Sequence, residues 1–187
     1  MTIADEKQAA RKAAMAVRKR AHAVASGAGE AAAKHMLNWL EAAPELRSIA
    51  GYMPIHTELD ILPLMQALHG RGYALSVPVI IGKAMPLKFR AWTPKTPMRR
   101  GAFGAMVPES GEWLRPDLLL CPMLAFDASG QRMGYGGGFY DRTIAALAPV
   151  RALGFAYKAQ RVDGLPHEAT DMPLEGVVTE FGIIRAG

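Results

Sequence analysis

From Gln131 to Arg142 the chain reads Gln-Arg-Met-Gly-Tyr-Gly-Gly-Gly-Phe-Tyr-Asp-Arg, with four glycines in five positions, flanked by arginines and set beside aromatic rings and one carboxylate. Each glycine loses more backbone freedom on ordering than any other residue, so such a run belongs where φ is positive or where backbone must approach a ligand closely. Backbone N–H groups unshielded by side chains make a nest for anionic oxygens, and a helix starting near Tyr140 or Asp141 adds its positive end. Arg132 and Arg142 can pair with phosphates, and Asp141 suits a Mg²⁺ that bridges phosphate oxygens. The plainer alternative, a flexible glycine-rich surface turn, does not require that set of groups. The stretch is not a Walker motif, because no Lys-Ser or Lys-Thr follows the glycines. Nor is it the dinucleotide fingerprint, since Phe139 stands where that pattern has glycine.

The elements that must position this loop follow from periodicity. Asp5 caps a predicted helix from Glu6 to about Ala25, in which Ala10, Ala13, Ala14, Val17, Ala21 and Val24 form a narrow apolar stripe. On another face Lys7, Arg11 and Arg18 line up at i, i+4 and i+11. The ordinary expectation for such a line is a solvated basic face; the sharper one is that Lys7 and Arg11 reach the phosphates of the glycine loop. A second helix is predicted from Glu30 to Glu41. Strands are predicted at Ser48 to Met53, Tyr73 to Ile81, Leu87 to Trp92, Asp117 to Pro122, Arg151 to Tyr157 and Gly176 to Glu180. Helices are predicted from Asp60 to about Gly70 and from Asp141 to Ala148, and Trp92 to Gly104 is expected to be an ordered loop. The strand predicted from Asp117 to Pro122 is apolar at every position after Asp117, as a central strand covered on both faces would be. The glycine stretch lies beyond its carboxyl end, where α/β sheets bind ligands. The expectation is an α/β layered single domain over 1–187, with a mostly parallel central sheet flanked by helices.

Composition narrows the field. The 187 residues are 50% apolar and 21% charged, ordinary for a folded chain. No apolar run approaches a bilayer span, and Met1 to Arg20 carries charge throughout. The lone Cys121 rules out an internal disulfide, so a cytoplasmic home is expected, with Cys121 in the core. The net charge of +5 attracts anions, but the basic residues are scattered and aromatics few, which favours small polyanions over nucleic acid. The five histidines have no metal-ligand spacing.

Pro122-Met-Leu-Ala-Phe-Asp127, Gly130-Gln-Arg-Met-Gly134 and Tyr135-Gly-Gly-Gly-Phe-Tyr-Asp-Arg142 together resemble the signature of the 5-formyltetrahydrofolate cyclo-ligase, or methenyltetrahydrofolate synthetase, family. Lys7 with Arg11, Tyr52-Met-Pro with Glu58-Leu-Asp60, Phe103-Gly104 with Pro108-Glu109, and Gly154-Phe-Ala-Tyr157, Gln160, Leu165-Pro166, Asp171 and Val178-Thr179-Glu180 agree in order and spacing. The resemblance covers nearly the whole chain and implies a Rossmann-like fold of the NagB/RpiA/CoA transferase type. It implies an ATP-driven ring closure of 5-formyltetrahydrofolate to 5,10-methenyltetrahydrofolate, with ADP and phosphate released. Lys7, Arg11, Arg132, Met133, Gly134, Tyr135, Gly136, Gly137, Gly138, Phe139 and Tyr140 would then hold ATP, with Arg132, Tyr140 and Asp141 at the chemistry. Ile55, Glu58, Asp60, Phe103, Tyr135 and Phe139 would contact the folate, while Asp141 and Asp171 would hold Mg²⁺. Asp60 has a competing role as helix cap and Asp171 as a turn cap before Pro173. The expected partners are ATP and a reduced folate; the basic region that includes Arg99 and Arg100 is by default a solvated face, and the folate reading raises the hypothesis that it attracts a polyglutamate tail. No nucleic acid or membrane is expected, and the chain is expected to be a monomer. The alternative is a folate- or nucleotide-binding protein, or a paralogous ATP-dependent one, on the same fold.

Overall fold

A computed structural model describes residues 3–187. Its twelve strands are β1 (Ser48–Ala50), β2 (Ala74–Val79), β3 (Lys88–Ala91), β4 (Met98–Arg100), β5 (Met106–Pro108), β6 (Trp113–Leu114), β7 (Leu118–Cys121), β8 (Ala125–Phe126), β9 (Arg132–Met133), β10 (Arg151–Phe155), β11 (Gly176–Thr179) and β12 (Gly182–Arg185). Four α-helices accompany them: α1 (Ile3–Val24), α2 (Ala28–Glu41), α3 (Leu62–Gly70) and α4 (Phe139–Leu147). Eight strands form one sheet in the order β12-β11-β10-β7-β1-β2-β3-β6; β4 pairs with β5, and β8 with β9. The strands from β11 through β2 run parallel, and β3 and β12 run antiparallel to their neighbours. This is the mostly parallel, helix-flanked α/β sheet expected from the sequence.

The alternation of side chains along β7 shows how the sheet is covered. Leu118 and Leu120 point into the cluster built with Met36 and Leu40 of α2 and Leu64 and Leu68 of α3. Leu119 and Cys121 point the other way, toward Ile144 of α4, Ala152 and Val177. All four are buried, which explains why the strand is uniformly apolar rather than alternating. Truncating a buried leucine such as Leu119 to alanine costs about 2–5 kcal/mol. Burial pushes the Cys121 thiol up to about 12, as suits a core residue.

Several boundaries differ from expectation for physical reasons. α1 begins at Ile3, so Asp5 lies inside its first turn rather than capping it. α4 begins at Phe139, two residues early, with Gly138 at its N-cap. β2 tolerates Pro78 because the pairing with β1 stops at Ser76, beyond which only β3 accompanies it. The segment expected as a loop after Trp92 contains β4, which forms a hairpin with β5. β12, paired to β11 across a short turn, was not anticipated.

The largest correction concerns α1. Lys7, Arg11 and Arg18 are not a solvated face: Arg18 is 2% exposed and lies among Ala14 and Ala21 on the buried side, whereas Val24 of the supposed stripe is 82% exposed.

Candidate active site

The chain leaves β1 toward β2 on one side, while β7, β10 and β11 build out on the other. Such a reversal opens a crevice beyond the carboxyl ends of the strands. There, Tyr52, Ile55 and Glu58 after β1, Pro78 and Ile80 around the end of β2, Pro122 after β7 and the glycine loop before α4 line a cavity of about 1160 Å³. The loop is aimed by Asp127, whose Oδ1 accepts hydrogen bonds from the Ser129 and Gln131 N–H groups and whose Oδ2 accepts one from Leu165 N–H. That carboxylate closes the turn delivering Arg132.

Within the loop Gly136 has φ 93° and Gly138 φ 63°, values a side chain would strain. A Cβ on Gly136 would also lie 3.1 Å from the Arg11 guanidinium, so the missing side chain is what lets α1 reach the loop. Arg142 donates to the Gly137 carbonyl at 2.7 Å and covers the Phe139 ring at 5.1 Å. Among the described residues, Arg11 Nε, Arg142 Nε and the Tyr140 hydroxyl are buried without a hydrogen-bond partner. An unmet buried donor costs about 1–3 kcal/mol, so three donors around one glycine loop fit a ligand rich in anionic oxygens. Burial holds the Tyr140 hydroxyl well above its ordinary range, which keeps it protonated and able to donate.

Three ion pairs cross this part of the cavity. Lys7 Nζ contacts Asp171 Oδ2 at 2.7 Å and Glu168 Oε2 at 2.9 Å. Burial alone would lower the Lys7 ammonium, but both carboxylates raise it; Asp171, against its own burial, is held low by Lys7 and the Glu168 N–H. Arg132 donates to Asp141 Oδ1 at 2.7 Å and to the Met172 carbonyl, and the Met172 N–H also donates to Asp141 Oδ1 at 2.9 Å. Asp141 and Asp171 therefore meet at the Asp171-Met172 backbone. Among the described residues no group of three or more His, Cys, Asp or Glu side chains could hold a metal. Two carboxylates beside a phosphate cradle nevertheless fit Mg²⁺, which takes few protein ligands and completes its shell with water and phosphate oxygens.

The opposite end is different. Glu58 is 6% exposed; its Oε2 accepts the Ile55 N–H at 2.9 Å, and its Oε1 is 3.8 Å from Arg18 Nη1. Burial raises this carboxyl to about 7, against the pull of the Ile55 N–H and Arg18. Phe103, with φ 54° and 74% exposed, stands at the rim with its ring edge-on to Phe139 at 6.5 Å. Tyr135 and Met133 also line the cavity.

Of the residues expected at the site, Asp60 alone is not among those lining the cavity: it is exposed, and its Oδ1 accepts the Leu62 N–H at 2.9 Å, the capping role. Sequence reasoning missed Glu168 and Met172, for which no motif gave a signal, and Arg18, which was visible but assigned to solvent.

A parallel α/β sheet with a glycine-built anion cradle at its switch point defines a class of ligand-binding α/β proteins. The comparisons narrow the class. The model of the 5-formyltetrahydrofolate cyclo-ligase family matches residues 3–180, and the chain belongs to that family. It is 34% identical over 158 residues to a 5-formyltetrahydrofolate cyclo-ligase from Haemophilus influenzae, covering 79% of this chain and 82% of that one. It is 34% identical over 140 residues to the Escherichia coli K12 protein of the same name, covering 71% and 77%. Among solved structures, Aquifex aeolicus 5,10-methenyltetrahydrofolate synthetase superposes with a TM-score of 0.75 at 29% identity, covering 96% of this chain and 92% of that one. A Mycoplasma pneumoniae 5,10-methenyltetrahydrofolate synthetase, at 20% identity and a TM-score of 0.72, shares the fold.

Proposed function

We propose that this protein converts 5-formyltetrahydrofolate to 5,10-methenyltetrahydrofolate at the expense of ATP, releasing ADP and phosphate. The observation that carries the reading is that a single cavity is lined both by a glycine loop flanked by cations and by a buried carboxylate with aromatic rings. Family membership supports the same chemistry.

In this reading the loop N–H groups from Gly134 to Gly138, with Lys7, Arg11 and Arg132, hold the triphosphate. Met133 and the rings of Tyr135, Phe139 and Tyr140 wall the nucleotide. Glu58 accepts N–H groups of the pterin, with Ile55 beside it and Phe103, Tyr135 and Phe139 against its faces. The formyl oxygen attacks the γ-phosphorus and ADP leaves. The adjacent folate nitrogen then attacks the activated formyl carbon, loses its proton, and phosphate departs. The protein needs no nucleophile of its own for this; alignment and charge stabilisation suffice. Arg132 and the protonated Tyr140 hydroxyl would stabilise charge on the transferring phosphoryl oxygens. Asp141 and Asp171 would hold Mg²⁺, which when bound neutralises phosphate charge. A cytoplasmic location accords with the lone, reduced, buried Cys121. Arg99 and Arg100, exposed on β4 beside the rim, suit an anionic polyglutamate tail.

The test is a coupled assay with protein, 5-formyltetrahydrofolate and MgATP. Methenyl absorbance and ADP rise together if the proposal holds. Binding of both ligands without either product would instead mark a non-catalytic binding protein.

A further inference from the structure

Arg18 is the most buried cation among the described residues named in the core, and its guanidinium reaches three separate segments. Nε donates to Thr57 Oγ1 at 3.1 Å, Nη1 to the Met123 carbonyl at 3.2 Å, and Nη2 to the Tyr135 hydroxyl at 2.5 Å. Nη1 also faces Glu58 Oε1 at 3.8 Å, too far for a hydrogen bond. One side chain of α1 thus ties the loop after β1, the connection after β7 and the glycine loop. The Met123 carbonyl is gripped a second time by Gln160 Nε2 at 2.8 Å, which fixes the anchor on which Arg18 rests.

We infer that Arg18 is a positioning residue of the folate-side subsite, holding the Glu58 carboxylate ready to accept a donor while its other arm fixes Tyr135 between the two ligands. The inference rests on the proposed placement of the folate ring. Burying a guanidinium is unfavourable unless its donors are satisfied, and here they are spent on groups that line or support the cavity rather than on a structural ion pair. The 3.8 Å gap leaves Glu58 Oε1 free of a direct hydrogen bond from Arg18 while keeping a positive charge beside it. The other titratable groups around Glu58 are Tyr52, Tyr135 and Tyr140, from the β1 loop, the glycine loop and α4, and His56, two residues before Glu58, which lines the cavity with its ring 6.4 Å from that of Tyr135. Burial raises all three hydroxyls above their ordinary range, so near neutral pH they are uncharged and Arg18 is the charge that favours ionised Glu58. The arrangement makes folate affinity depend on pH through Glu58, whose midpoint is raised by burial and drawn back down by the Ile55 N–H and by Arg18.

Direct titration of the full-length protein with 5-formyltetrahydrofolate, without ATP, from pH 6 to 9 tests this. The parent should lose affinity about tenfold per pH unit below a midpoint near 7. Arg18→Gln should move that midpoint upward, with affinity partly recovered at high pH. MgATP affinity, read alongside, should change several-fold less. Arg18→Lys keeps a buried charge and serves if Arg18→Gln does not fold. It should hold the midpoint near the parent's yet weaken folate binding several-fold, because one ammonium does not grip Thr57, Met123 and Tyr135 at once. An unmoved midpoint in Arg18→Gln, with folate and MgATP weakened alike, would mean a purely structural role and overturn the inference. An Arg18→Lys protein identical to the parent in both readings would overturn it too. Glu58→Gln separates the two levels: a pH step that survives it refutes the folate placement itself, whereas its disappearance leaves Arg18 as the only point at issue.

Discussion

The two ends of the cavity solve opposite problems. At the glycine loop, charge is abundant and exchangeable: Lys7 is shared between Asp171 and the half-exposed Glu168, and Arg132 rests on Asp141. Lys7 and Arg132 each have a carboxylate partner that an incoming phosphate would replace, while Arg11 and Arg142 beside them have no ion pair among the described residues. At the Glu58 end, charge is scarce and fixed. The Glu58 and Arg18 side chains are 4% and 3% exposed, and the carboxyl sits near its ionisation point. A triphosphate brings its own strong field and needs a cradle with mobile counter-charges. An uncharged ring is recognised through hydrogen bonds, and its N–H donors need an acceptor whose desolvation has already been met by the fold.

The contrast predicts different responses to mutation. The largest effect is expected at the phosphate end, where Arg132→Ala should lower kcat by roughly 10²–10³, the usual loss when one charge-stabilising donor is removed. Circular dichroism and melting checked alongside should show a folded chain; unchanged turnover would move the phosphate site elsewhere. Next comes Glu58→Gln, which at pH 8 should raise the folate KM by about 10–100-fold, a hydrogen bond to a charged group being worth about 1.5–3 kcal/mol. It should leave the ATP KM within a few-fold.

The same residue carries a stability prediction of definite sign. Folding raises the Glu58 carboxyl from 4.5 to about 7, so between those values the folded chain keeps a proton that the unfolded chain releases. Stability from this group is therefore complete at low pH and falls as pH rises through the window, by at most about 3 kcal/mol. Denaturant titrations at pH 5 and 8 should show that fall in the parent and a smaller one in Glu58→Gln. Equal falls would mean that Glu58 ionises normally.

Lys7→Ala should chiefly raise the ATP KM, by about tenfold, with a smaller change in kcat, because its bond to phosphate replaces one to Asp171. A loss in kcat with KM unchanged would instead make Lys7 part of the chemistry. The smallest effect belongs to Arg99→Ser with Arg100→Ser, where exposed charges are worth roughly 0–1 kcal/mol each. Affinity for a polyglutamylated folate should drop a few-fold more than for the monoglutamate. An equal change in both would remove the tail from this face.

Much of this was legible in the sequence because local rules and the global fold agree. The uniform apolarity of Leu118 to Cys121 marked the central strand, and the glycines with Arg132 and Asp141 marked the cradle beyond it. What escaped was set by tertiary contact. β12 needed β11 as a template, and β4 needed β5. Arg18 shows the limit most clearly: helical spacing placed it in line with Lys7 and Arg11, but only the packing of α1 against the cavity decides that the line faces inward. Asp60 shows the reverse, its carboxylate taken up by the start of α3 two residues on.

In the proposed function ATP and folate share one cavity with their reacting atoms beside Arg132 and Tyr140. A crystal structure with 5-formyltetrahydrofolate and a Mg²⁺-bound, non-hydrolysable ATP analogue tests it directly. The account predicts phosphate oxygens over Gly134 to Gly138, the metal against Asp141 and Asp171, and the pterin on Glu58. Nucleotide density away from the glycine loop, or a pterin that leaves Glu58 uncontacted, would contradict it.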